Sequence, residues 1–160
     1  MKIIFLDIDG VVNCNSTKER CRKNVMGVEQ DKIALVKQIV EATGAKIVLS
    51  STWRLDSPVF ENGRAVNAGD FEYLVSEFAK QGLEFFDVTP SHSDQWRGRE
   101  ILEWLSKAEE PVEGYVVIDD DVFDIVTECK GHVLITSPET GLKPNGVKWA
   151  IQILNNGKGC

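Results

Sequence analysis

Lys2-Ile-Ile-Phe-Leu-Asp7-Ile-Asp9-Gly10 opens with an almost unbroken apolar run and stops abruptly at two carboxylates and a glycine. A run of that kind, without alternation, suits a strand covered on both faces, as in a parallel sheet flanked by helices. The next segments follow suit. Ile33, Val36, Ile39 and Val40 share one helical face before Thr43-Gly44, and Lys46 to Leu49 forms a second buried strand. Residues 53–69 hold Pro58, Gly63 and Gly69 and read as a loop, with Asp70 as the N-cap of a helix carrying Phe71, Leu74, Val75 and Phe78. Leu83 to Val88 is a third strand, and a helix with Ile101, Trp104, Leu105 and Ala108 on one face leads to a fourth, Tyr115 to Asp119. A short helix at 122–129, a fifth strand from His132 to Thr136 and a closing helix through Val147, Ala150 and Leu154 complete an α/β alternation. Asn155 to Cys160 reads as a frayed tail.

The chain has 160 residues, 42% hydrophobic and 27% charged, with a net charge of −7. At roughly 150 residues per domain, that length argues against two large domains, and the acidic balance disfavours a duplex-DNA coat. Four cysteines without a C-x-x-C pair read as reduced thiols, and neither they nor His92 and His132 show the spacing of a zinc site. The apolar run at Ile3 is too short for a signal segment, and no stretch approaches the ~18 apolar residues of a membrane span. A cytoplasmic protein away from membranes is the expectation.

In open α/β sheets, ligands sit beyond the carboxyl ends of the strands. There the sequence places Asp7-Ile8-Asp9-Gly10, Ser50-Ser51-Thr52 and Asp119-Asp120-Asp121, with Asp124 one turn later. Taken singly, each has an ordinary explanation: a turn, a capping segment, acids at a helix N-terminus. Three of them at the ends of three different strands point to a site. Carboxylates gathered in one crevice repel each other unless their pKa values rise or a cation sits among them. Mg²⁺ prefers oxygen ligands and is commonly held by carboxylates plus a substrate phosphate, which makes a phosphate group the expected substrate.

Phe5-Leu-Asp7-Ile-Asp9-Gly10-Val11, Val48-Leu49-Ser50, a basic residue opening the helix before the fourth strand, and Val117-Ile118-Asp119-Asp120 resemble the ordered motifs of the haloacid dehalogenase (HAD) superfamily. More narrowly, Leu49-Ser-Ser-Thr-Trp-Arg54, Arg97-Gly98 and the triple aspartate resemble the HAD domain of "Swiss Army knife" RNA-repair proteins, over roughly residues 2 to 142. With the α/β alternation and the length, the expectation is a three-layer Rossmann-like HAD fold with a five-stranded parallel sheet, in a single domain over 1–156 with a tail at 157–160. The resemblance implies a Mg²⁺-dependent phosphatase working through an aspartyl-phosphate. Asp7 would be the nucleophile and Asp9 the acid and base. Mg²⁺ would be bound by Asp7, the Asp9 carbonyl, Asp119 and Asp120. Ser50 would donate to a phosphoryl oxygen and Arg97 would neutralise charge, with Ser51 and Arg99 as alternatives in these two roles.

Gly10 turns the loop and, with Ser51, Trp53 and Arg54, is a candidate for substrate contact; core packing is the other possibility for Trp53. Arg97 is preferred over Arg99 because Gly98 would let the main chain approach phosphate. Lys143 is a further candidate, with simple exposure as its alternative. Trp96, Trp104 and Trp149 read as packing residues, and His92 as a loop residue. A response-regulator receiver is disfavoured by motif order, and a catalytically silent interaction protein by the D-x-D spacing. Residues 11–30 are an insertion too short for an enclosing cap, so they predict a small flap and an open site. Thr17 to Lys23 carries four bases and one acid, a local +3 suited to a nucleotide or nucleic-acid end. A phosphorylated small molecule is the alternative substrate, and no obligate protein partner is evident.

Overall fold

The unbroken apolar run at the start of the chain forms β1 (Lys2–Leu6), the centre of a five-stranded sheet. The computed structural model describes residues 1–55, 58–61, 64–67, 69–93 and 96–156, with 58–61 and 64–67 described by their main chain. On one side of β1 lie β4 (Lys46–Leu49) and then β7 (Phe85–Val88). On the other lie β8 (Gly114–Asp119) and β9 (Val133–Ile135). All four pairings are parallel.

Alternate residues of the three central strands, β1, β4 and β8, face opposite helical layers, which explains why their runs carry no polar alternation, while the edge strands β7 and β9 are partly exposed. Ile4, Leu6, Ile47, Leu49, Val116 and Ile118 pack with α1 (Gln30–Thr43), α2 (Asp70–Ala79) and α5 (Pro144–Asn156). Ile3, Phe5, Val48 and Val117 pack with α3 (Arg97–Lys107) and α4 (Ile125–Glu128). The result is the expected three-layer, Rossmann-like α/β fold. Main-chain bonds carry the register past the strand ends. Asp7 N–H donates to the Ile118 carbonyl, Ser50 to Leu6, Thr89 to Leu49 and Thr136 to Asp119, each at 3.0 Å. Asp7, Ser50, Thr89, Asp119 and Thr136 therefore stand in one line along the carboxyl edge.

Between β1 and α1 the flap carries a small hairpin, β2 (Arg20–Arg22) paired with β3 (Val25–Met26). Arg22 makes a bidentate ion pair with Asp70, at 2.8 and 2.9 Å, and ties the flap to α2. This corrects the expected role of Asp70 as an N-cap. Gly69 occupies that position with φ +74°, and the carboxylate is taken by the stronger charge-assisted partner. The expected loop at 53–69 is also more ordered than its Pro and Gly content suggested. It contains a 3₁₀ turn, Thr52–Leu55, and a hairpin of β5 (Pro58–Glu61) and β6 (Arg64–Asn67), while Gly63 lies outside the described residues. α5 runs through Asn155, whose side chain accepts a hydrogen bond from Lys2 at 2.6 Å, so the expected tail starts too early. Residues 157–160 lie outside the described set. Among the described residues, no helix is long and apolar enough to cross a membrane.

Candidate active site

The line of strand ends brings Asp7 and Asp119 side by side, and Asp120 joins them from the turn after β8. Each offers a carboxylate oxygen within 4.8 Å of the other two. Burial pushes the Asp7 carboxyl above the ordinary range, opposed by the Arg97 guanidinium and by the Ser51 hydroxyl bonded to it. Asp119 is fully buried and is pushed up to about 7, first by burial and then by the charge of Asp7. Asp120 is also raised, chiefly by burial. Three acids whose carboxyls burial pushes up, gathered at one point, form a donor set that a hard divalent cation would relieve.

Arg97, the first residue of α3, brings its guanidinium against these acids. Its Nη1 lies 2.5 Å from Asp119 Oδ2 and 3.4 Å from Asp7 Oδ1. Burial works against its charge, but Asp7 and Asp119 outweigh it and raise its pKa. Arg99 points elsewhere, 70% exposed and 3.7 Å from Glu128. The reason offered for preferring Arg97 needs correcting, however. Gly98 N–H donates to Asp124 Oδ2 at 2.5 Å, and a Cβ there would press on Asp124 and Glu128, so this glycine lets α3 approach α4 rather than phosphate.

Asp9 stands apart from the three-carboxylate cluster and faces solvent, held from both sides. Asn13 Nδ2 donates to Oδ1 at 2.8 Å and Trp53 Nε1 to Oδ2 at 3.0 Å. Trp53 packs at 6.4 Å against Tyr73, as the packing reading expects, while its indole N–H is directed at Asp9. The ring borders a cleft of about 360 Å³ that Asp9, Asn24, Val25, Met26, Thr52 and Asp70 also line. Sequence reasoning missed Asn13. Its signal was an amide directly after the buried Val11-Val12 pair, where an unpaired polar group is costly.

Two candidates for substrate contact are corrected. Gly10 N–H donates to Asn13 Oδ1 at 3.0 Å, and the residue adopts φ +67° with the Asp120 carboxylate where a Cβ would stand. It is a turn residue that makes room for Asp120. Arg54 is buried, and its guanidinium donates to the Ser50, Ser51, Thr89 and Pro90 carbonyls and to Glu100, at 2.5 to 3.2 Å. Those bonds occupy all five of its N–H donors, leaving none for a ligand. Arg54 is a brace across the ends of β4 and β7.

Ser50 is buried, and its hydroxyl has no hydrogen-bond partner among the described residues; the Thr89 and Thr136 hydroxyls on the same edge share that state. Ser51 bonds Asp7. Lys143 is exposed, and His92 pairs with Glu103 at 3.0 Å. Trp104 packs as expected, whereas Trp96 and Trp149 are 54% and 58% exposed and do not.

A parallel sheet with an acidic cluster, a guanidinium and orphaned hydroxyls along its carboxyl edge defines a phosphatase-type hydrolase of the haloacid dehalogenase superfamily. Within that class the chain belongs to a particular family, described as the HAD domain in Swiss Army Knife RNA repair proteins, whose model matches residues 3–147. No curated protein shows significant similarity to the chain.

Proposed function

We propose that the protein is a Mg²⁺-dependent phosphomonoester hydrolase that acts through an aspartyl-phosphate on Asp7, with nucleotide or nucleic-acid-end phosphates as its substrates. The observation that carries this reading is the convergence of Asp7, Asp119 and Asp120 within 4.8 Å beside Arg97. Asp7, Asp119 and Asp120, with the Asp9 carbonyl, would hold Mg²⁺. Bound there, the ion would offset the carboxylate charge and draw electron density from the phosphoryl oxygens.

The Asp7 carboxylate attacks phosphorus while the bond to the leaving oxygen breaks, and that oxygen takes a proton from Asp9. Asp9 then removes a proton from water, which attacks the same phosphorus, frees inorganic phosphate and restores Asp7. Asn13 and Trp53 each occupy one lone pair on a different Asp9 oxygen. They fix the plane of the carboxyl and leave the remaining lone pairs for the leaving oxygen and the water. The cleft beside Trp53 opens next to Asp9, where the leaving oxygen takes its proton. Arg97 compensates charge on the phosphoryl oxygens, and the Ser50 hydroxyl finds its missing partner there. The local +3 of the flap and the family's RNA-repair context support nucleotide and nucleic-acid ends over small metabolites.

The test is phosphate release from aryl phosphate, sugar phosphates, nucleoside monophosphates and 3′- or 5′-phosphorylated oligonucleotides, with and without Mg²⁺. Turnover should require the ion, favour the nucleotides and vanish in a folded Asp7→Asn variant. Undiminished turnover in that variant excludes the mechanism.

A further inference from the structure

We infer that Trp96 and Phe123 form a stacking platform for a nucleobase of the substrate, beside the phosphate site. The inference rests on the phosphohydrolase reading for its anchor. The two rings lie with centroids 5.0 Å apart and planes inclined by 34°, yet they are 54% and 75% exposed. Two adjoining exposed rings present flat apolar faces, the surface on which another flat ring can stack.

Their frames are held by main-chain bonds rather than by core packing. The Trp96 carbonyl accepts the N–H groups of Arg99 and Glu100 at 3.0 and 3.2 Å, which fixes it at the start of α3. Phe123 lies in the turn between Asp121, whose N–H donates to Asp119 Oδ1 at 2.9 Å, and Asp124, which takes the Gly98 N–H. Trp96 immediately precedes Arg97. Phe123 follows Asp120 by three residues, which limits their Cα separation to about 11 Å. The platform is therefore tied on both sides to residues that face the phosphate.

Beside the rings is a cleft of about 460 Å³, also lined by Arg99, Asp124, Thr127 and Glu128. Its size falls in the ~300–1,000 Å³ range of small-molecule sites. Two carboxylates against one guanidinium make the lining acidic, so a second phosphate is repelled. A neutral, flat ring with amino donors is favoured, since the rings supply π faces and the carboxylates accept N–H. With phosphate at Arg97 and a flat ring at Trp96, a nucleotide meets both demands. Two rings are too small an apolar area for a stable protein partner.

The test compares kcat/KM for adenosine 5′- or 3′-monophosphate, whichever is turned over, with that for ribose 5-phosphate, which lacks the base. The ratio should fall about 5- to 150-fold in Trp96→Ala or Phe123→Ala, the equivalent of ~1–3 kcal/mol of base stacking, and should largely survive Trp96→Phe. Both side chains are exposed, so loss of fold does not confound the comparison. An unchanged ratio overturns the platform while leaving the hydrolase reading intact. If no phosphate ester is turned over, that reading fails instead, and tryptophan fluorescence of the intact protein titrated with adenosine monophosphate decides the platform. Quenching that Trp96→Phe abolishes supports it, and none rejects it. A dimer in light scattering that Trp96→Ala dissolves would assign the rings to a second copy of the chain and also overturn it.

Discussion

Arg54→Met tests whether this arginine braces the scaffold or binds substrate. The substitution removes five donors at once, so the Ser50, Ser51, Thr89 and Pro90 carbonyls lose a partner and Glu100 keeps its charge in a buried setting. The side chains of Arg54 and Glu100 are 5% and 6% exposed, so solvent cannot replace the lost pairing. Breaking one side of a buried pair costs about 3–5 kcal/mol. For a chain of this size, ~2–4 °C per kcal/mol gives a fall in Tm of about 6–20 °C. Thermal and urea unfolding measure it directly. Arg54→Met with Glu100→Leu should recover part of the loss, because the uncompensated charge is gone, and the departure from additivity measures the pairing. Because the carbonyls belong to the residues carrying the Ser50 and Ser51 hydroxyls, kcat should fall with stability. A variant with unchanged Tm and kcat but a raised KM would refute the brace and return Arg54 to the substrate.

Asn13→Ala or Trp53→Phe, each removing one donor from Asp9, should lower kcat about tenfold or more, with a larger loss for alkyl than for aryl esters because poor leaving groups depend most on the acid; equal losses for both ester types would remove Asp9's holders from the proton step. Asp119 keeps its proton up to about 7 in the fold, so the folded chain binds more protons than the unfolded one and this contribution to stability declines as pH rises from about 4 to about 7. In metal-free solution the urea midpoint of the wild type relative to Asp119→Asn should therefore drop across that window, and Mg²⁺ should flatten the trend; a rise would contradict the assignment. In the flap, Lys18→Glu with Lys23→Glu should reduce oligonucleotide turnover far more than aryl phosphate turnover, with a salt-dependent difference. Arg22→Glu should impair both substrates, because it also breaks the pair with Asp70 that anchors the hairpin.

The sheet was legible because its central strands, β1, β4 and β8, are buried on both faces, which erases alternation and leaves apolar runs too short to be helices. The helices were legible because Ile33, Val36 and Ile39, or Ile101 and Trp104, repeat at the helical period and bury the same stripe. What failed was short-range structure that follows no hydrophobic period or is set by a distant partner. Thr52–Leu55 and the paired strands Pro58–Glu61 and Arg64–Asn67 follow no hydrophobic period, so the Pro and Gly content of the segment suggested a loop. The place of Asp70 depends on Arg22, forty-eight residues away, and nothing local announces that pair.

At the site, residue types at strand ends identified which acids converge, because parallel register forces neighbouring strands to end together. Side-chain direction was not legible. Arg54 and Arg97 carry the same group, and sequence offers no sign that one spends every donor on carbonyls while the other faces two carboxylates. Trp96 shows the same limit from the opposite side. A tryptophan at the start of an amphipathic helix reads as core by composition, but the inward positions of α3 are already filled by Ile101 and Trp104. Trp96, the residue that precedes the helix, stays exposed at the carboxyl edge, next to the arginine that faces the acids, where its ring can meet a substrate.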